Sequence, residues 1–187
     1  MAKIPKVTQG SILIAQPFMD DTFFKRSVVG ITENRTDGTV GFILNKPVKP
    51  KLNELIPKIK SEEEFKVFYG GPVATDTIHY IHSKGELLEE STQITKGIYW
   101  GGNFERLLFL IESGLINSQD IRFYLGYSGW SEGQLDTELE TGSWVVSDWY
   151  ANYAFSKNTE KLWKETLNHK GDPYSVIANI PPNSSNN

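Results

Sequence analysis

The sequence predicts an α+β domain whose sheet is mainly antiparallel, and three observations carry that expectation. Apolar stretches are short and follow one another closely, with turn clusters such as 34–38 between them, the rhythm of hairpins. Helical periodicity appears only in a few irregularly placed segments, so the regular strand–helix alternation of a parallel array is missing. Neither an internal repeat nor a linker interrupts the 187 residues, a length that suits a single domain at 1–180 with a disordered tail at 181–187.

Taken in order, residues 1–9 form a loose lead. Ile12 to Ala15 reads as a buried strand stopped by Pro17. An aromatic-rich turn then feeds a strand at 27–33, and the cluster Asn34 to Gly38 turns the chain into a strand at 39–44, completing a hairpin. Leu52, Leu55, Ile56 and Ile59 have helical spacing over 51–60, although Pro57 falls inside. Strands follow at 65–69 and 78–82, and the polar, acidic segment 85–93 reads as a solvated loop. Asn103 is placed to N-cap a helix with Phe104, Leu107, Leu108 and Ile111 on one face and Gly114 at its end. Ile121, Phe123 and Leu125 alternate in a strand that enters the glycine-broken turn Gly126 to Trp130. Ser131 and Gln134 have capping-box spacing, so a helix is expected from Glu132 to Gly142. A strand at 144–147, an aromatic stretch at 149–155 and a helix at 159–169 complete the chain.

Composition narrows the function. Hydrophobic residues at 39% and charged residues at 22% belong to a folded chain. The net charge is −4, and the nearest approaches to a basic run, 46–51 and 58–60, are diluted by other residues. Neutralising phosphates takes concentrated positive charge, so direct nucleic-acid binding is disfavoured. With no cysteine, disulfides, thiolate metal sites and a cysteine nucleophile are excluded. No signal peptide is apparent, and no stretch nears the roughly 20 apolar residues of a membrane span. The expected location is the cytoplasm.

Several motifs share one order along the chain. Gly126-Tyr127-Ser128-Gly129-Trp130-Ser131-Glu132-Gly133-Gln134-Leu135-Asp136-Thr137-Glu138-Leu139 has the pattern G-Y-x-G-W-x-x-G-Q-L-x-x-E-L. Pro17 to Val28 follows P-x-x-x-D-x-x-F-x-x-S-V, Gly41 to Pro47 follows G-x-x-x-N-x-P, and Gly70-Gly71-Pro72-Val73 reads GGPV. With these motifs the chain, from about Gly10 to Gly171, resembles the YqgE/AlgH family. The resemblance implies a compact bacterial protein with a strongly bent sheet, close to a barrel and flanked by helices. The family has no defined biochemical activity; some members carry the label of transcriptional regulator.

The candidate chemistry is sparse. Ser128 sits in a Gly-x-Ser setting and is followed by Asp148 and His169 in the hydrolase order, but Trp130 stands where a nucleophile elbow has its last glycine. A glycine-rich turn before a capped helix is the simpler reading. His79 and His82 are three apart in a strand and so face opposite ways, which disfavours a metal. Gly70-Gly71-Pro72 lacks the Lys and Ser/Thr of a phosphate-binding loop, while Gly101-Gly102-Asn103 could offer free N–H groups to an anion. Glu132, Asp136 and Glu140 form the solvated side of their helix. What remains is a polar–aromatic set, Asn45, His82, Trp130, Gln134 and Glu138, which fall on motif positions of the resembled family. Gln134 and Glu138 lie four apart and project together beside Trp130, as a binding surface would. Equally, Trp130 could fill the core while Gln134 and Glu138 bond backbone at the sheet edge.

The expected function is a regulatory or binding module acting through a small-molecule or protein partner, without cofactor or metal. The alternative is a hydrolase-like enzyme using Gly126 to Glu138, with Ser128 or Glu138 as the reactive group. Self-association through exposed Tyr150 and Tyr153 is a third option, and the oligomeric state is open.

Overall fold

Strand β8 (Ile121–Ser131) is the axis of the fold. In the computed structural model, which describes residues 4–181, it pairs with three other strands. Its first half runs antiparallel to β5 (Val73–His82), with Tyr80 across from Phe123, and parallel to β4 (Val67–Tyr69), with Phe68 across from Tyr124. Its second half runs antiparallel to β3 (Gly38–Ile43), with Val40 across from Gly129. Beyond β5 the sheet continues through β7 (Ile98–Trp100) to β6 (Thr92–Thr95). Beyond β3 it continues through β2 (Val28–Arg35) and β1 (Ser11–Ala15) to β9 (Trp144–Asp148). The β2–β3 hairpin closes over Thr36 and Asp37, because Arg35 already pairs with Gly38.

The sheet is curled into a half-barrel, and each strand divides its side chains between two faces. Ile12, Ile14, Val28, Phe42, Phe68, Ile81 and Tyr124 fill the concave side. Trp149 and the short helices α4 (Ala151–Ala154), α5 (Leu162–His169) and α6 (Tyr174–Ile177) close it. On the convex side α1 (Leu52–Leu55) and α2 (Phe104–Glu112) cover the half around β4 and β5. The other half, around β1, β2 and β3, is covered by α3 (Gln134–Glu140) together with Trp130 and Trp144. The two ends of the sheet approach each other at Gln9, just before β1, whose side-chain amide donates to the carbonyls of Gln93 (2.9 Å) and Ile94 (3.3 Å) on the end strand β6.

Where β4 wedges between β3 and β8, the backbones touch. The Gly70 carbonyl accepts from Ile43 N at 3.0 Å and from the Ser128 hydroxyl at 2.9 Å. Gly126, at φ +63°, shifts the alternation of β8: Phe123 and Leu125 face the convex side, Tyr124 and Tyr127 the concave side, and Trp130 the convex side again. This bulge lets one strand serve both halves of the sheet.

Several elements differ from expectation. The glycine-broken turn expected at Gly126 to Trp130 is strand, because its glycines permit a close crossing instead of a reversal. The helix expected over 51–60 spans only Leu52–Leu55; Pro57 cannot continue it, and Ile59 is buried from a following turn. α3 begins at Gln134, not Glu132, since Ser131 still belongs to β8. Half of the capping box nevertheless forms, with Gln134 Oε1 accepting from Ser131 N at 3.1 Å. The last long helix starts at Leu162 rather than 159, and the aromatic stretch at 149–155 contributes only α4. Segment 85–93 is not wholly a solvated loop: Leu88 is fully buried and Thr92 opens β6. The β6–β7 hairpin and α6 are too short to carry a period. α2 forms as its spacing predicts, with Asn103 Oδ1 accepting from Arg106 N at 2.9 Å. The tail beyond Pro181 lies outside the described residues.

Candidate functional site

Glu138 organises the signature segment. One carboxylate oxygen, Oε2, accepts the indole N–H of Trp130 at 2.9 Å and that of Trp144 at 2.7 Å. The other, Oε1, accepts from Gln134 Nε2 at 3.0 Å, and Gln134 Oε1 in turn receives Ser131 N. The two indoles meet edge to face with centroids 6.0 Å apart, and Phe24 from the aromatic turn packs on both. Trp130 and Trp144 are buried, whereas Gln134 is exposed and Glu138 half-buried. A carboxylate whose two oxygens accept three hydrogen bonds is committed to holding α3 against β8 and β9. Trp130, Gln134 and Glu138 thus come together; nothing local in the sequence ties Trp144 or Phe24 to them.

Asn45 and His82 lie apart from that cluster and from each other. Asn45 Oδ1 accepts from Val28 N and its Nδ2 donates to Arg26 O, each at 2.9 Å, so its amide fixes the chain entering β2. His82 is fully buried on β5, stacked on Tyr99. Its Nε2 lies 2.9 Å from the Gly101 carbonyl and its Nδ1 accepts from Lys84 N at 3.2 Å, which assigns the neutral tautomer protonated at Nε2.

Burial lowers the His82 pKa below 6.5, opposed by the bond to Gly101 O, and burial lowers that of His79 likewise. The unfolded chain therefore takes up protons below about pH 6.5 that the folded chain refuses. Stability is fully present above that pH and falls as pH drops toward the folded-state values. His82→Gln is expected to flatten this slope, read as urea midpoints between about pH 7.5 and pH 5.5.

The geometry of the alternative, hydrolase-like reading is not formed at Ser128. Ser128 is fully buried within β8, and its hydroxyl is already given to the Gly70 carbonyl. His169 sits at the end of α5, with its Nδ1 2.7 Å from the Tyr153 hydroxyl. Tyr153 itself is 1% exposed, so of the two tyrosines expected at a self-association surface only Tyr150 reaches solvent. Burial, with Tyr150 and Glu165 adding, pushes the Tyr153 hydroxyl up to about 12.

Open space lies beside the signature instead. A groove of about 750 Å³ runs between the lead residues 4–7, the β2–β3 turn and the outward face of α3. Glu132, Asp136 and Glu140 form its acidic wall; Lys6 and Arg35 stand opposite, Arg35 paired with Glu33. A smaller hollow of about 360 Å³ on the other side of the hairpin is lined by Val40, Val73 and Tyr127 among others. On the α3 side the groove is lined from within the signature segment, by Gly133 and Leu135 among others, whereas its lead and hairpin residues carry no motif.

The profile of the AlgH-like family (DUF179) matches residues 12–175. A UPF0301 protein of Chlorobium phaeobacteroides is 39% identical over 176 residues, covering 94% of each chain. One of Cytophaga hutchinsonii is also 39% identical over 176 residues, covering 94% of this chain and 96% of its own. Among solved structures, a Corynebacterium diphtheriae protein superposes with a TM-score of 0.79 at 19% identity, covering 95% of both chains. The solution structure of AlgH from Pseudomonas aeruginosa superposes with a TM-score of 0.73 at 23% identity, covering 97% of this chain and 98% of its own. These structures share the fold, and with the profile and the relatives they lead to one conclusion: the chain belongs to the AlgH-like, UPF0301 family.

Proposed function

We propose that the chain is a cytoplasmic regulatory binding module that seats a small molecule, or a short stretch of a partner protein, in the groove along α3. The observation that carries this reading is a division of labour on one helix. Gln134 and Glu138 are spent on anchoring α3 through Trp130 and Trp144, while Glu132, Asp136 and Glu140 are left facing a groove of about 750 Å³. That volume lies within the range of small-ligand sites, and the acidic wall favours a cationic occupant. Regulation through such a partner suits an acidic protein better than direct contact with DNA. No helix among the described residues is long and apolar enough to cross a membrane.

A screen of amines, cationic metabolites and basic peptides by amide chemical-shift mapping tests the reading. A ligand of the groove is expected to move the amides of Thr39, Ser131 and Leu135. Asp136→Lys, at an exposed position, should change stability by no more than about 0.5 kcal/mol yet weaken binding about tenfold or more. A library that leaves those amides unmoved, or binding indifferent to Asp136→Lys, would remove the groove from consideration.

A further inference from the structure

On a different face, lysines converge. A groove of about 350 Å³ between the chain after β3, the approach to β4 and the α4–α5 connection is lined by Lys49, Lys51, Lys66 and Lys157, with Glu64 and Glu160. Backbone pairing explains the convergence. Pro47 is bridged antiparallel to Phe68, and Val48 N donates to Val67 O at 3.0 Å. Carried on by one residue, that register sets Lys49 across from Lys66. Carried further, it sets Lys51 across from Glu64, and these two form an ion pair at 3.3 Å. Lys51 thus has a countercharge. Lys49, Lys66 and Lys157 form no ion pair among the described residues.

Like charges placed across a strand pair repel, so this arrangement costs stability while the groove is empty. In a chain of net charge −4, a third lysine from a separate segment deepens the positive field at that spot. Ammonium groups are compact point charges suited to phosphate oxygens, and the volume is that of a small-ligand site. We propose that this groove binds a small phosphate ester carrying two or more negative charges, held between Lys49, Lys66 and Lys157. Glu64 and Glu160 limit how far the negative charge can extend, which favours a compact polyanion over a long one. The site does not depend on the groove along α3.

Inorganic pyrophosphate is the probe, titrated into the isotope-labelled full chain and into Lys49→Ala/Lys66→Ala. Saturable shifts are expected at the amides of Val48, Lys66 and Thr159, with binding at least about tenfold weaker in the double variant. Lys157→Ala, on its own segment, should weaken binding independently. All three lysines are exposed, and without pyrophosphate the double variant should melt no lower than the parent, because a repulsive pair has been removed. Shifts that fail to saturate and spread to distant lysines such as Lys96 and Lys164, or equal affinity in the double variant, would overturn the proposal.

Discussion

Gly70→Ala is expected to cost about 3 kcal/mol or more, lowering the melting midpoint by roughly 6–12 °C. The added Cβ would stand 2.3 Å from the Gly126 carbonyl oxygen and 3.0 Å from the Phe42 ring. The nearest atom is backbone, so it cannot rotate away. β4 would have to withdraw from β8, straining the bonds from the Gly70 carbonyl to Ile43 N and Ser128. Overpacking of this kind typically costs 1–3 kcal/mol, and each weakened bond adds about 1. Gly133→Ala makes the control. It has φ +72° but nothing within 4 Å of its added Cβ, so only the left-handed backbone is penalised, by about 1 kcal/mol. Urea unfolding followed by tryptophan fluorescence separates the two. Equal losses would mean that the contact of β4 with β8 is softer than it looks.

Glu138→Ala should cost about 2–3 kcal/mol. It strands two indole donors, and a donor left without its acceptor costs about 1–3 kcal/mol, toward the low end here because Glu138 is only half-buried. Glu138→Gln keeps a carbonyl that both indoles can share, and about 1 kcal/mol is expected. Coupling is the sharper readout. In a Trp144→Phe background one donor is already gone, so Glu138→Ala should cost about 1 kcal/mol less there than in the parent. Additive losses would show that the carboxylate holds α3 by something other than these bonds.

How much of this was legible beforehand depended on the range of the interaction. The α2 helix could be read because its cap, apolar face and terminating glycine lie within one segment. The β2–β3 hairpin could be read because its turn is local. The segment after Gly126 misled, since glycines that reverse a chain and glycines that let two backbones cross look alike in sequence. Only the distant Gly70 and Gly71 decide between them. Among the expected site residues, the closeness of Gln134 and Glu138 followed from helical spacing. Their joint engagement with Trp130 and Trp144 needed the curl of the sheet, which brings β8 and β9, with three strands between them in its order, under the same helix. Asn45 and His82 shared a polar character with the others but no location, and composition carries no information about location.

The Gln9 amide has a consequence for how copies of this chain behave toward one another. An end strand with free carbonyls is a template on which another extended chain can be laid, and repetition of that step yields fibrous aggregates. By occupying the carbonyls of Gln93 and Ile94, the side chain of Gln9 stops the growth of the sheet at β6 with a group from its own molecule. A single amide thus turns an extensible edge into a dead end.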